Sequence, residues 1–435
     1  MTGRPDSDEA TDVATTSGDA PDAPGKAAPA RPRRRWRWVR RSLAVIGALL
    51  VIAVAGGLIY VRTAPFGASP SGDRLARIEG SPQWRDGEFA DPWPQWLSPT
   101  ASIPGGGSDT SSPNQPLSIA ATDTSRLAVA PTQGMRVTWF GHSSTLVEID
   151  GLRVLIDPVW GEQAGPSSLV GTKAFYPPPA ALAELGRMDV VLISHDHWDH
   201  LDHPTIRAMA GWSATTFVVP LGIGAHLERW GIPADRIREL DWWDSATVGS
   251  VELVATPARH SSARDPLRSS ETLWSGWALR GPQHRLWYSG DTGYFAELAQ
   301  IGQRLGPFDV TLIDSGQYDP KWPDTHLSPE LAVEANALVR GELMIPVHWG
   351  RFSLAPHSWS EPVERVRAEA ACRGQRYLAL VPGVPTEPTD DAVAAQQPWW
   401  PALPWRTAAQ APINPTVNGD PAQRVDIAPC STGGR

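Results

Sequence analysis

Cysteine is scarce in this sequence. Cys372 and Cys430 are the only two among 435 residues, which excludes a disulfide-built scaffold and any cysteine-rich zinc module. A basic excess is also missing: 38 Lys and Arg stand against 47 Asp and Glu, a formal net charge of −9 at pH 7, which argues against general nucleic-acid binding. Phenylalanine (8) and tyrosine (6) together fall short of tryptophan (21). No internal repeat is visible. What is present is globular in composition, 41% hydrophobic and 20% charged, so full disorder is excluded. The length fits two to three domains, or one large domain with appendages.

Large apolar side chains are nearly absent from residues 1–30, which cannot offset the entropy of ordering and are expected to be disordered. A basic block with seven arginines follows, RPRRRWRWVRR over residues 31–41, and then a nineteen-residue run without charge, 43–61. As a helix that run spans roughly 28 Å, close to one hydrocarbon core. The arginine bias predicts a signal anchor over residues 42–62, single-pass in the cell membrane, with residues 1–41 a cytoplasmic tail and the chain beyond the anchor extracytoplasmic. Trp36, Trp38 and Tyr60 stand where interface anchors belong. Two alternatives remain open: cleavage and export at Ala53-Val54-Ala55, which has the small-x-small form, and a twin-arginine signal at Arg40-Arg41-Ser42-Leu43.

Residues 63–134 are rich in Pro, Gly, Ser and Thr and read as an extended arm and linker, with Trp84, Trp93 and Trp96 packing onto the main domain. From Met135 the pattern changes. Short β-rich runs at 137–140, 144–149, 154–156, 190–193, 216–219, 251–255, 286–289 and 310–313 alternate with helical stretches at 179–185, 204–209, 294–305 and 329–338. Ser328 and Pro329 are the expected N-cap and first residue of the last helix. This order predicts a layered α/β domain over residues 135–385. Residues 386–435 read as a Pro-rich C-terminal tail with little regular structure, in which Trp399, Trp400 and Trp405 are candidates to dock it.

All eleven histidines lie between 142 and 357. The sharpest cluster is DVVLISHDHWDH over residues 189–200, an apolar run leading into four donors within six residues. In an extended segment His195 and His197 point the same way, because the side-chain period is two, whereas Asp199 and His200 follow the turn and face a second position. Neutral imidazole and carboxylate suit Zn²⁺ or a similar divalent ion.

This motif resembles the metallo-β-lactamase superfamily. Further stretches carry the likeness in order: MRVTWFGHSSTLVEIDGLRVLIDP (135–158), FYPPP (175–179), WSGW (274–277), YSGDTGY (288–294), GPFD (306–309), GQYDPKW (316–322) and PVHWG (346–350). As a set they are similar to the N-acyl phosphatidylethanolamine-hydrolysing phospholipase D branch, over residues 91–385. The resemblance implies an α/β fold, the αββα sandwich of the metallo-β-lactamases, here preceded by one transmembrane helix. It implies two Zn²⁺ ions, the first held by His195, His197 and His260, the second by Asp199, His200 and His348, with Asp291 bridging. It places His142 and Asp157 beside the metals as orienting residues and gives His326 a catalytic or binding role near substrate. Tyr318, Lys321 and Arg351 are candidate phosphate contacts. The implied activity is hydrolysis of a phosphodiester, an N-acyl phosphatidylethanolamine-like phospholipid, by attack of a metal-bridging hydroxide, with Asp291 orienting it. A lactonase or other ester hydrolase, and a non-catalytic membrane-anchored metal-binding scaffold, are the alternatives. In one place the chain departs from the branch: Asp314-Ser315 stands where its members have an apolar–proline pair, changing a wall near the site.

The net charge divides along the chain. Residues 1–41 hold nine basic and six acidic side chains, leaving −12 on the remainder. Whether Cys372 and Cys430 pair is left open by the sequence.

Overall fold

The structure, a computed structural model, describes residues 33–99, 110–268, 270–425 and Cys430. The disorder expected for residues 1–30 lies outside these. Two compact units are distinguished, Met1–Tyr60 and Val61–Arg435.

In the first unit a helix runs Arg33–Tyr60. Its segment Trp36–Tyr60 has a mean hydropathy of 2.6 and is long and apolar enough to cross a membrane. Arginine is a good helix former, and the helix extends back through the basic block as far as Arg33.

In the second unit, apolar alternation sorts each strand's side chains to two faces. Six strands form one sheet: β1 (Met135–Trp139), β2 (Thr145–Ile149), β3 (Leu152–Ile156), β4 (Val190–Leu192), β5 (Thr216–Pro220) and β6 (Ile237–Leu240), in the order β6-β5-β4-β3-β2-β1. The strands from β3 to β6 pair in parallel, and the β1–β2–β3 edge is antiparallel. Six more strands form the second sheet in sequence order: β7 (Ser245–Val248), β8 (Val251–Thr256), β9 (Gly276–Arg280), β10 (Arg285–Tyr288), β11 (Phe308–Asp314) and β12 (Gly341–Val347). Here β10, β11 and β12 are parallel.

Val137, Trp139, Val147, Ile149, Val154 and Ile156 of the first sheet meet Leu253, Trp277, Leu279, Tyr288, Val310 and Leu312 of the second in one core. The intervening residues face the other way. Leu146, Leu155, Val191 and Phe217 pack against Ile206, Ile223 and Leu227 of helices His203–Ala208 and Ile223–Arg229. Ala278, Trp287 and Ile313 pack against Leu298, Ile301, Leu331 and Val366 of helices Leu298–Leu305, Pro329–Leu338 and Glu361–Arg373. Helices therefore cover both outer faces of two packed sheets, an αββα sandwich of the metallo-β-lactamase type. Helix Pro329–Leu338 begins as read from the sequence, with the Ser328 side chain accepting from Leu331 N–H.

The flanks are more ordered than their composition suggested. The arm carries a helix, Asp73–Glu79, and a hairpin pairing Trp84–Arg85 with Glu88–Phe89. Ile78 and Phe89 join a cluster with Trp242, Leu273 and Trp274, and Trp93 stacks on Trp242 at 5.8 Å. The tail read as irregular holds a helix, Asp390–Ala395, and a hairpin of Thr416–Val417 with Asp420–Arg424. Trp399 stacks on Trp349 at 5.6 Å and Trp400 meets the same indole edge-on. Cys372 and Cys430 form a disulfide, with Cα atoms 6.1 Å apart.

Candidate metal centre

The donors gather where strands of both sheets end. β4 runs out into Ser194-His195, and a turn closed by His200 N–H donating to His197 C=O brings four donors to one edge. His260 follows β8, Asp291 follows β10, and His348 follows β12 directly. Gly290, beside Asp291, has φ of +59°, and a Cβ there would lie 2.7 Å from Ser275 O. His142, Asp157 and His348 also carry positive φ, at 54°, 39° and 66°. Such backbone concentrates at functional sites.

Two cradles meet on one carboxylate oxygen. In the first, His197 Nδ1 lies 2.9 Å from His195 Nε2 and 3.2 Å from His260 Nε2, and Asp291 Oδ2 is 3.7 and 3.8 Å from those two Nε2 atoms. In the second, Asp199 Oδ2 lies 3.4 Å from His200 Nε2 and 3.3 Å from His348 Nε2, while Asp291 Oδ2 is 3.1 and 3.2 Å from the same nitrogens. His142 belongs to this second cluster, its Nε2 2.6 Å from Asp199 Oδ2. A third cluster of donors joins Asp291, Asp314, His326 and His348.

Three of the imidazoles, those of His200, His260 and His348, are oriented from behind. Asp157 Oδ2 accepts from His200 Nδ1 (2.8 Å), Tyr288 O–H (2.5 Å) and Ser194 O–H (2.5 Å), and its Oδ1 accepts from Ser194 N–H (2.7 Å). His260 Nδ1 donates to Thr325 O (3.1 Å). His348 Nδ1 donates to Asp314 Oδ1 (3.0 Å). Fixing Nδ1 in this way turns Nε2 into the ligating atom. The residues fit a divalent cation: His200 Nε2 and Asp291 Oδ1 are fully buried without a hydrogen-bond partner, as donors awaiting coordination are.

The protonation pattern agrees. Burial pushes His195 and His260 well below the usual histidine range, reinforced by neighbouring imidazoles. Burial also lowers His348, but the Asp291 and Asp314 carboxylates outweigh it and raise that group to about 10. His200 is likewise raised, by Asp291 and Asp199 against its burial. Burial opposes ionisation of Asp199 and Asp291, yet the surrounding histidines hold both well below the carboxylate range. Without metal, protons on two imidazoles supply the positive charge that the carboxylates demand.

Above the donors opens a cleft of about 470 Å³. His197, Asp199, Asp291, His326 and His348 line its floor, with Leu97, Trp322 and Leu354 among its apolar walls. Tyr318 and Arg351 do not reach it. The phenol is buried and donates to Glu361 Oε1 at 2.9 Å, and the guanidinium is buried and donates to Val159 O at 2.6 Å. Both are corrections to the expectation that they contact phosphate: each side chain spends its polar atoms inside the fold. Lys321 adjoins Trp322 but is not among the lining residues. Sequence reasoning missed Thr325 and Leu97, which carry no motif, and saw Asp314 only as a departure.

Residues 152–349 match the family model described as the beta-lactamase superfamily domain. An uncharacterized protein of Mycobacterium tuberculosis is 43% identical over 385 residues, covering 83% of this chain and 99% of its own. N-acyl-phosphatidylethanolamine-hydrolyzing phospholipase D 1 of Caenorhabditis elegans is 35% identical over 246 residues, 54% of this chain and 69% of that one. A protein named metal-dependent hydrolase from Pyrobaculum neutrophilum is 29% identical over 253 residues, 57% of this chain and 98% of its own.

Proposed function

The chain belongs to the β-lactamase superfamily as a metal-dependent hydrolase, and on that premise we propose that it is a dinuclear zinc enzyme cleaving a phosphodiester of an N-acyl phosphatidylethanolamine-like phospholipid. The observation that carries the reading is Asp291 Oδ2, within 3.1–3.8 Å of four imidazole nitrogens drawn from two cradles. His195, His197 and His260 would hold the first ion and Asp199, His200 and His348 the second, with Asp291 shared between them. Two such cations would supply an acidified water as nucleophile and neutralise charge on the nonbridging and leaving oxygens.

The chain's own groups do the rest. Asp291 Oδ1, which has no hydrogen-bond partner, is the acceptor that orients the attacking water. His326, on the cleft floor, contacts the leaving-group side of the substrate. Leu97, Trp322 and Leu354 exclude water and receive apolar parts of the substrate. Residues 42–62 tether the domain to the membrane that holds the substrate, with the arginine block keeping the N-terminus cytoplasmic. The Cys372–Cys430 disulfide suits an oxidising, extracytoplasmic domain.

The test measures zinc content, then turnover of an N-acyl phosphatidylethanolamine in mixed micelles beside a lactone panel. Two zinc ions per chain and release of an N-acyl ethanolamine together with phosphatidic acid, abolished in His195→Ala, are expected. Lactone turnover with no phosphodiester cleavage by the two-zinc protein would overturn the substrate class. Wild-type-like turnover by folded, metal-replete His195→Ala would overturn the mechanism.

A further inference from the structure

We propose that Asp314 is a positioning residue that sets the second-cation ligand His348 and the cleft residue His326 at once, so that metal binding and substrate contact share one carboxylate. The assignment rests on the two-cation reading above for the role of His348.

Topology places Asp314 there. β11 is the middle strand of the parallel trio, and Asp314 is its last residue, in register with Val347 of β12. The next residue of β12's chain is His348, which therefore emerges beside it. On the other flank, Tyr288 of β10 pairs with Leu312, so Asp291, three residues beyond Tyr288, emerges one residue past the level of Asp314. His326 arrives from the loop between β11 and helix Pro329–Leu338. The carboxylate is fully buried and does not line the cleft.

Its contacts divide between the two rings. Oδ1 accepts from His348 Nδ1 and Oδ2 from His326 Nδ1, each at 3.0 Å. Thr292 N–H, next to Asp291, approaches Oδ2 at 3.4 Å, and Gly316 N–H approaches Oδ1 at 3.3 Å. Asp314 N–H itself donates to Ser289 Oγ at 2.9 Å, which fixes the strand end. A carboxylate only accepts, so both rings must carry their hydrogen on Nδ1. Nε2 is then the atom of each ring that can offer a lone pair to a cation or substrate: that of His348 faces Asp199 and Asp291, and that of His326 lies across the ring from the buried carboxylate. The rings stack at 4.9 Å with 26° between planes, so each packs against the other as well as against the shared carboxylate. No other side chain among the described residues bonds Nδ1 of both. An amide at this position has one accepting atom and one donating atom, and would force one ring into the opposite tautomer.

The experiment uses the full chain in detergent micelles. Zn²⁺ binding by wild type, Asp314→Asn and His326→Ala is titrated against a chromophoric chelator, and kcat and KM are measured with N-acyl phosphatidylethanolamine at saturating Zn²⁺. Asp314→Asn is expected to weaken one of the two zinc-binding steps by about 10–100-fold and leave the other unchanged. His326→Ala is expected to leave both steps unchanged while lowering kcat. Combining the two substitutions is expected to lower kcat no further than Asp314→Asn alone, because each breaks the same unit. Independently of whether the variant folds, ¹⁵N-histidine spectra of the zinc-loaded wild type should show His326 as the Nδ1–H tautomer, identified by its loss in His326→Ala. A wild type binding two zinc ions, with folded Asp314→Asn binding both equally tightly, overturns the assignment alone. So do additive kcat losses, or an Nε2–H tautomer at His326. A wild type binding fewer than two zinc ions overturns the two-cation reading itself, and the assignment with it.

Discussion

Replacing Asp157 with Asn changes one oxygen to nitrogen in a site where four donors converge. The Ser194 N–H, the Ser194 and Tyr288 hydroxyls and His200 Nδ1 all point at the carboxylate, at 2.5–2.8 Å. An amide accepts on one side only. The two hydroxyls can turn and accept from the new NH₂, but His200 Nδ1–H cannot. To pair with the amide, His200 must move its hydrogen to Nε2, the atom that lies 3.1 Å from Asp291 Oδ2 and faces the second cradle. The expected cost is 10–100-fold in affinity for one zinc ion, about 1.4–2.7 kcal/mol. The metal-free protein also loses charge-assisted hydrogen bonds. If two of the four are lost at about 1.5–3 kcal/mol each, chemical denaturation should show a fall of about 3–6 kcal/mol. The Tyr288 phenol, pushed up by burial and by the Asp157 charge, should become easier to ionise in the variant. Competition titration with a chelator reads the first quantity and denaturant unfolding without metal reads the second. A folded Asp157→Asn protein with wild-type affinity at both zinc-binding steps would refute the reasoning.

Three other expectations follow from the same geometry. Arg264 is buried and donates to the carbonyls of Pro65, Asp196 and Leu201 while lying 4.0 Å over Trp198. Arg264→Met should therefore lower stability by about 3–5 kcal/mol and loosen the arm, seen as faster amide exchange at residues 64–68; unchanged exchange there would count against this tie. On the proposed two-zinc reading, zinc would displace the proton that Asp291 and Asp314 hold on His348 at about 10, so apparent affinity should rise about tenfold per pH unit for each proton released. A pH-independent affinity between 6 and 8 would contradict that. His357 is buried between Gln317 N–H and Ser358 O, and burial lowers it from 6.5 to about 4. The unfolded chain binds that proton first, so its share of stability is complete above pH 6.5 and lost as pH falls toward 4, about 3 kcal/mol in all. In His357→Gln the acid-induced loss should be smaller by that amount, and an identical pH profile in the two proteins would reject it.

Much of the sandwich was legible because its strands are short apolar runs with clear ends. All eight runs read as strands fall on strands, and β4 leads into the donor cluster as the spacing required. The strands not anticipated, Ile237–Leu240, Ser245–Val248, Gly276–Arg280 and Gly341–Val347, mix glycine, charge or serine into the run and are held by their neighbours' ladders. The arm and tail were read as irregular because proline removes periodicity. They are held instead by indoles and by guanidinium–carbonyl contacts, such as Arg259 donating to Trp93 O and Pro94 O. Asp314 carried no local signature. Its partners lie 12 and 34 residues away, and only the parallel register of β11 and β12 brings them together. Tyr318 and Arg351 failed as phosphate contacts for the converse reason: residue type suggested a role that burial had already assigned elsewhere.

The distribution of donors along the chain also sets a clock. During synthesis His195, His197, Asp199 and His200 leave the ribosome about 150 residues ahead of His348, an interval of roughly 7–30 s at ordinary elongation rates. His260 and Asp291 emerge 60 and 91 residues after His200, so only for the first part of that time does the nascent chain display these four donors and none of the second sheet's. An ion captured before Asp291 emerges has a partial cradle without the carboxylate that both cradles share, and β12, the edge strand of the second sheet, is the last piece that can complete it.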